Sequence, residues 1–311
     1  MLLVRICRSL LLLSIVGCLP LTAANTADLI IFSYNRPLQL YALLESVHRF
    51  IDGLHEIRVL YRSDDQHYYQ AYQEVQKSFP SVQFTLQGKN PQADFKPLLL
   101  RTINASSSDY LLFAVDDIIV KDTIVIGECI EALQDTDAYG FYFRLGTNIS
   151  QGYPTGNVPL PPLSPISASI NSWCFSQGYD YWAYPNTLDM TLYRKGDILK
   201  QFAALPYYAP NSLEGNWHMR AADVMRRHGL CYTTSKIVNI PLNIVQKEWV
   251  TPNMNAYDAS SLLQLFNDGY TLAIDDLHKI HNKSAHMDFA VRFIKRTLEQ
   301  ALYVYNQELA Q

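Results

Sequence analysis

Three polar pairs stand where chemistry could be done: Asn35-Arg36, Asp64-Asp65 and Asp116-Asp117. Each follows a short apolar run: Asp28-Leu-Ile-Ile-Phe-Ser33, Glu56-Ile-Arg-Val-Leu-Tyr61 and Tyr110-Leu-Leu-Phe-Ala-Val115, respectively. Carboxylates are hard oxygen ligands, so Asp116-Asp117 could bridge a divalent cation and a diphosphate. Further along, Glu214 follows Pro210-Asn-Ser-Leu, a helix start, where a carboxylate could act as a general base. Asp189, in Leu-Asp-Met, is the reserve for that role. His278, His281 and His286 fall within nine residues of one another, close to Asp275 and Asp276. Imidazole suits Mn better than Mg, and His281 is taken as the metal candidate, although the spacing itself does not choose. Plainer roles compete with each of these. Arg36 could pair with a surface acid, Asp65 could cap the next helix, and Glu214 could be an ordinary first-turn acid.

The elements that must position these residues alternate. Pro37 opens a helix carrying Leu40, Leu43, Leu44 and Val47 at helical spacing. Further helices are predicted after Asp65 to about Phe79 and from Ala93 to Ala105, with a strand from Val82 to Leu86 between them. Strands alternating with helices predict an α/β fold, a mostly parallel sheet with helices on both faces. In such sheets ligands sit beyond the carboxyl ends of the strands, where the three polar pairs fall. Tyr139 to Leu145 reads as another strand, Gly152 to Pro165 as an irregular Pro-rich stretch, and Trp173 to Tyr193 as aromatic-rich strands. Ser260 to Phe266 and Met287 to Leu309 read as C-terminal helices.

Composition removes several classes. The chain has 311 residues, 49% hydrophobic and 17% charged, with a formal net charge of -4 and no Lys/Arg run, which argues against nucleic acid as a partner. There is no G-x-x-x-x-G-K-[ST], G-x-G-x-x-G, G-x-S-x-G or H-E-x-x-H, so phosphate is not held by a glycine-rich cradle. Among the five cysteines no C-x-x-C pair occurs.

Ile31-Phe-Ser-Tyr-Asn-Arg-Pro37, Asp64-Asp65 and Phe113-Ala-Val-Asp-Asp-Ile118 resemble GT-A glycosyltransferases of the family 2 type. The stretch from Trp182 to Arg194 and Pro210-Asn-Ser-Leu-Glu214 resemble a bacterial subgroup of that family. The resemblance implies a GT-A-like α/β fold and transfer of a sugar from a nucleotide-sugar donor to a glycan, lipid or protein acceptor. It implies Mn or Mg on the diphosphate. Carried over by position, it places Ser33, Asn35, Arg36, Asp65 and Asp116 at the nucleotide, Asp117 at the metal and Glu214, with Asp189 in reserve, at the acceptor. One departure is Val115 where the family's first D-x-D acid stands. With it goes the alternative of an exported, non-catalytic glycan- or nucleotide-binding protein on a degenerate GT-A fold.

Met1 to Ala24 carries Arg5 and Arg8, no acid, and an apolar run from Leu10 to Leu19 ended by Pro20. That is a leader pattern, and the expected location is exported or membrane-associated. Cleavage after Ala24, lipidation at Cys18 and an uncleaved N-terminal anchor all remain open. The expected division is a 1–24 leader, a 28–250 transferase domain with a 28–135 nucleotide half and a 136–250 acceptor half, and a 251–311 helical extension.

Overall fold

The computed structural model describes residues 26–153, 156–245 and 257–296. In chain order the first part runs β1 (Ala27–Tyr34), α1 (Pro37–Phe50), β2 (Ile51–Asp52), β3 (Leu54–Arg62), α2 (Gln66–Ser78), β4 (Gln83–Leu86), α3 (Pro91–Ala105) and β5 (Tyr110–Val115). The middle holds β6 (Ile118–Val120), β7 (Ile124–Val125), α4 (Ile126–Thr136), β8 (Gly140–Tyr142), β9 (Ser164–Pro165), β10 (Ile170–Cys174) and β11 (Thr191–Arg194). Then follow α5 (Lys195–Ala204), α6 (Pro210–His218), β12 (His228–Tyr232), β13 (Ile237–Asn239), α7 (Ala259–Asn267), β14 (Tyr270–Leu272) and β15 (Phe293–Lys295).

Nine strands form one sheet in the order β4-β3-β1-β5-β11-β8-β12-β10-β9. Only β11 and β10 run against the other seven, so the sheet is mostly parallel in strand direction. This is the α/β architecture expected from the alternating pattern. β1 and β5 are buried almost throughout, as strands covered on both faces must be, and hence they read as continuous apolar runs. Pro37 sits in the first turn of α1, where its missing N–H costs nothing.

Two cores lie on opposite faces of the sheet. Leu40, Leu43, Leu44 and Val47 of α1 pack with α2, α4 and the C-terminal segment on one side. The other side is aromatic: Trp173, Trp182, Trp217, Tyr142, Tyr193 and Phe202 are all fully buried. Gly229 on β12 is required there, because a Cβ would come within 2.6 Å of the Trp173 ring. Between β10 and β11 the stretch predicted as strand is mostly irregular, with short 3₁₀ turns at Phe175–Gln177 and Asp180–Ala183. Phe175 and Trp182 of this stretch are buried in the core, whereas Tyr179 is exposed.

Two expectations are corrected. Residues 287–296 are not helical: Phe293–Lys295 form β15, paired antiparallel with β14, and residues 297–309 of that predicted helix lie outside the described residues. Met287, Phe289, Val291 and Phe293 all pack on the core, a period of two, which is the strand period rather than the helical one. Secondly, the expected exported or membrane-associated location is overturned as a reading of this molecule: among the described residues no helix is long and apolar enough to cross a membrane. The leader on which that reading stood, residues 1–24, lies outside the described residues.

Candidate active site

Because β1, β3 and β5 are parallel neighbours, their carboxyl ends bring Ser33, Tyr34 and Arg36, Arg62, and Asp116 and Asp117 to one edge of the sheet. β8 runs the same way and delivers Arg144 two residues past its end. β11 runs in reverse, so its amino end, preceded by Asp189, reaches the same edge. The second turn of α6 adds Glu214, one turn past the first-turn position at which a helix acid would be commonplace. Together these side chains line a cleft of about 620 Å³.

On one wall Arg36 is a three-way strut. Its Nη1 donates to Asp116 Oδ1 at 2.9 Å and Asp117 Oδ2 at 3.2 Å, its Nε donates to Asn243 Oδ1 at 3.0 Å, and its Nη2 donates to the Asn243 carbonyl. Burial works against the guanidinium's charge, but the two aspartates outweigh it and hold its pKa above the ordinary value. Asp116 is buried and also accepts from Ser33 Oγ at 2.8 Å and the Tyr34 amide at 3.2 Å. Desolvation raises its pKa, with Arg36 pulling the other way. Asp117 is different: its Oδ1 is buried at the cleft wall and has no hydrogen-bond partner among the described residues. A buried carboxylate oxygen left open in this way fits a divalent cation, to which it would contribute one ligand.

The facing wall holds a second set. Arg144, almost fully buried, places Nη1 3.4 Å from Asp189 Oδ2 and donates through Nη2 to the Tyr184 carbonyl at 3.3 Å. His286 Nε2 lies 3.7 Å from the same Asp189 oxygen, positioned by a bridge between His286 and Asn239. Glu214 Oε1 accepts from the Leu188 amide at 2.9 Å. Desolvation, and then the charge of Asp189, push the Glu214 carboxyl from 4.5 up to about 7. A carboxyl poised near neutrality in a cleft is suited to proton transfer.

The structure thus gathers Ser33, Arg36, Asp116, Asp117, Asp189 and Glu214 around one cleft and leaves three candidates outside it. Asn35 adopts a left-handed φ of 51° and exchanges hydrogen bonds with Asp64, latching that loop. Asp65 caps α2, accepting from the His67 and Tyr68 amides at 2.8 and 3.0 Å, the helix-cap role that its position also allowed. His281 is exposed and does not line the cleft; of the three histidines it is His286 that does, while His278 stacks on Phe50. Arg144 escaped the sequence reading, yet it follows a strand just as Arg36 and Asp116 do. The strand predicted from Tyr139 to Leu145 enclosed it, whereas β8 ends at Tyr142 and leaves Arg144 beyond its carboxyl end.

A separate set of ligand-type side chains, Asp28, His55 and Glu56, lies with its ligand atoms within 4.8 Å of one another. It sits at the amino ends of β1 and β3, across the sheet from the cleft, and Arg58 already stands 3.9 Å from Asp28.

No protein-family model matches the chain. In sequence it is 26% identical over 193 residues to the bifunctional glycosyltransferase pgtA of Dictyostelium discoideum, a match covering 56% of this chain. The chain spans about a quarter of that relative, 24% of its length. In structure it is similar to TarS 1–349 of S. aureus, with a TM-score of 0.45 and 13% identity over 68% of this chain and 58% of that one. It is also similar to the mannosyltransferase PcManGT of Pyrobaculum calidifontis in complex with GDP-Man and Mn2+, with a TM-score of 0.38 and 11% identity over 66% of this chain and 54% of that one. The chain is glycosyltransferase-like.

Proposed function

We propose that the chain is a glycosyltransferase that moves a sugar from a nucleotide-sugar donor to a hydroxyl of a glycan, lipid or protein acceptor. The observation that carries this reading is one cleft with Arg36, Asp116 and Asp117 on one wall and Glu214, Asp189 and Arg144 on the other. The sequence likeness to pgtA supports it, and PcManGT offers a precedent for a sugar nucleotide held together with Mn2+.

On this reading Asp117 would hold Mn or Mg, its open Oδ1 offering one ligand. When bound, such a cation neutralises charge developing on the leaving nucleoside diphosphate. Arg36 keeps the Asp117 carboxylate in place and balances Asp116. Glu214 takes the proton of the acceptor hydroxyl as its oxygen bonds to the sugar carbon and the carbon–phosphate oxygen bond breaks. Asp189 keeps Glu214 basic near neutral pH, and Arg144 fixes Asp189. Residues 28–250 carry the reaction, donor half 28–135 and acceptor half 136–250, and the segment 251–311 contributes His286.

The test is a panel of UDP-, GDP- and other nucleotide sugars incubated with the protein and Mn2+, with released nucleotide measured. Hydrolysis of one donor that stops in Glu214→Gln is the expected result. Nucleotide binding by calorimetry without turnover of any donor would favour the non-catalytic binding protein instead.

A further inference from the structure

We infer that the acceptor is a neutral pyranose, carrying no phosphate, sulfate or carboxylate beside the reacting hydroxyl. The inference rests on the transferase reading and deepens it. Tyr184 stacks on His218, with ring centroids 4.0 Å apart and planes at 19°, and Tyr181 stacks on His286 at 6.0 Å and 24°. Both tyrosines are half-buried and line the cleft on the Glu214 side. Their faces are taken by the two imidazoles and by Arg144, so what these tyrosines offer a ligand is apolar ring edge and polar tip, which match the C–H groups and hydroxyl rim of a pyranose. Beside them stand three carboxylates, Asp180, Asp189 and Glu214, which accept hydrogen bonds from hydroxyls.

The cations of this wall are already committed. Arg144 faces Asp189 at 3.4 Å, and its guanidinium lies 5.6 and 5.5 Å from the rings of Tyr181 and Tyr184. His286 faces the same carboxylate at 3.7 Å. Among the described residues lining this half of the cleft, no other cationic side chain is present. An anionic acceptor would therefore meet carboxylates with no spare positive partner, a built-in discrimination against charge of that sign.

The experiment is saturation-transfer NMR on the full chain with UDP or GDP and Mn2+ present. The probes are methyl glycosides of glucose, galactose, mannose and N-acetylglucosamine, each set against its 6-phosphate. At least one neutral glycoside should bind, with its 6-phosphate weaker by roughly tenfold or more. Asp180→Asn should narrow that gap, since Asp180 is exposed and its left-handed φ of 53° suits asparagine. A 6-phosphate that binds as well as its neutral parent overturns the inference. So does binding of nucleotide with no glycoside bound, because the acceptor is then not a sugar. Failure of UDP and GDP to bind at all would remove the transferase reading itself.

Discussion

Glu214 combines two properties that one substitution can separate. The folded protein holds its proton up to about pH 7, against an ordinary 4.5, so folding binds more proton than unfolding over that interval. Stability from this group is therefore full below about pH 4.5 and falls as pH rises through about 7. Glu214→Gln should consequently stabilise the protein above pH 7, by about 1–3 kcal/mol, and change nothing below pH 4.5. Urea unfolding at pH 4 and pH 8 checks this. As the base, Glu214 must be ionised, so wild-type turnover should rise with pH through about 7, while Glu214→Gln loses roughly 100-fold or more and that dependence with it. A variant that keeps both turnover and its pH profile would pass the role to Asp189. Asp117 is the corresponding residue on the wall proposed for the donor. Asp117→Ala should weaken nucleotide binding in the presence of Mn2+ and leave it nearly unchanged without metal, as measured by calorimetry. Equal losses under both conditions would show that its open oxygen meets the nucleotide directly.

At the scale of elements, Arg36 joins three segments that are distant in sequence: the loop after β1, the end of β5 and the stretch around Asn243. Removing a buried ion's partner leaves the other charge uncompensated, so Arg36→Ala should cost about 3–5 kcal/mol in chemical denaturation. Arg36→Lys should recover little of it, because an ammonium cannot address two carboxylates and Asn243 with fixed directions at once. Full stability in Arg36→Ala would mean that Asp116 takes up a proton and needs no partner. The strands feeding this junction were legible: Asp28-Leu-Ile-Ile-Phe-Ser33 and Tyr110-Leu-Leu-Phe-Ala-Val115 are apolar because both faces are covered, and polarity returns abruptly at the cleft. What was not legible depended on pairing between distant segments. Nothing local in Pro-Leu-Asn243 announces that its side chain receives Arg36. Nothing local tells His286 from His281, since only the bridge to Asn239 decides which histidine enters the cleft. The C-terminal segment was misread for a different reason. Its spacing of two was present in Met287, Phe289, Val291 and Phe293, but a longer helical pattern was laid over it.

For the whole molecule, the sheet divides the labour between its two cores. The wall proposed for the donor is built from strand ends braced by α1 and α2, whereas the wall proposed for the acceptor hangs on α6 and on the irregular chain between β10 and β11, both seated in the aromatic core. Trp217 ties that core to Glu214, which precedes it by three residues on α6 and so lies almost one turn away. It is fully buried, its Nε1 donates to Gln201 Oε1 at 2.9 Å, its ring meets Phe202 edge-on at 4.8 Å, and its carbonyl accepts from Asn186 at 2.7 Å. Trp217→Ala should cost about 3–5 kcal/mol of stability, the usual range for emptying a large aromatic site. Its functional signature should be lopsided. With α6 loosened, Glu214 loses its fixed relation to the Leu188 amide and to Asp189, and turnover should fall well below wild type. Nucleotide affinity should stay within about twofold, because Arg36, Asp116 and Asp117 rest on the opposite core and mutations without shared partners act independently. Calorimetry and turnover on the same preparation, at a temperature where circular dichroism confirms the fold, separate the two effects. If nucleotide affinity falls in step with turnover, the two walls are one mechanical unit and the division proposed across the sheet is wrong.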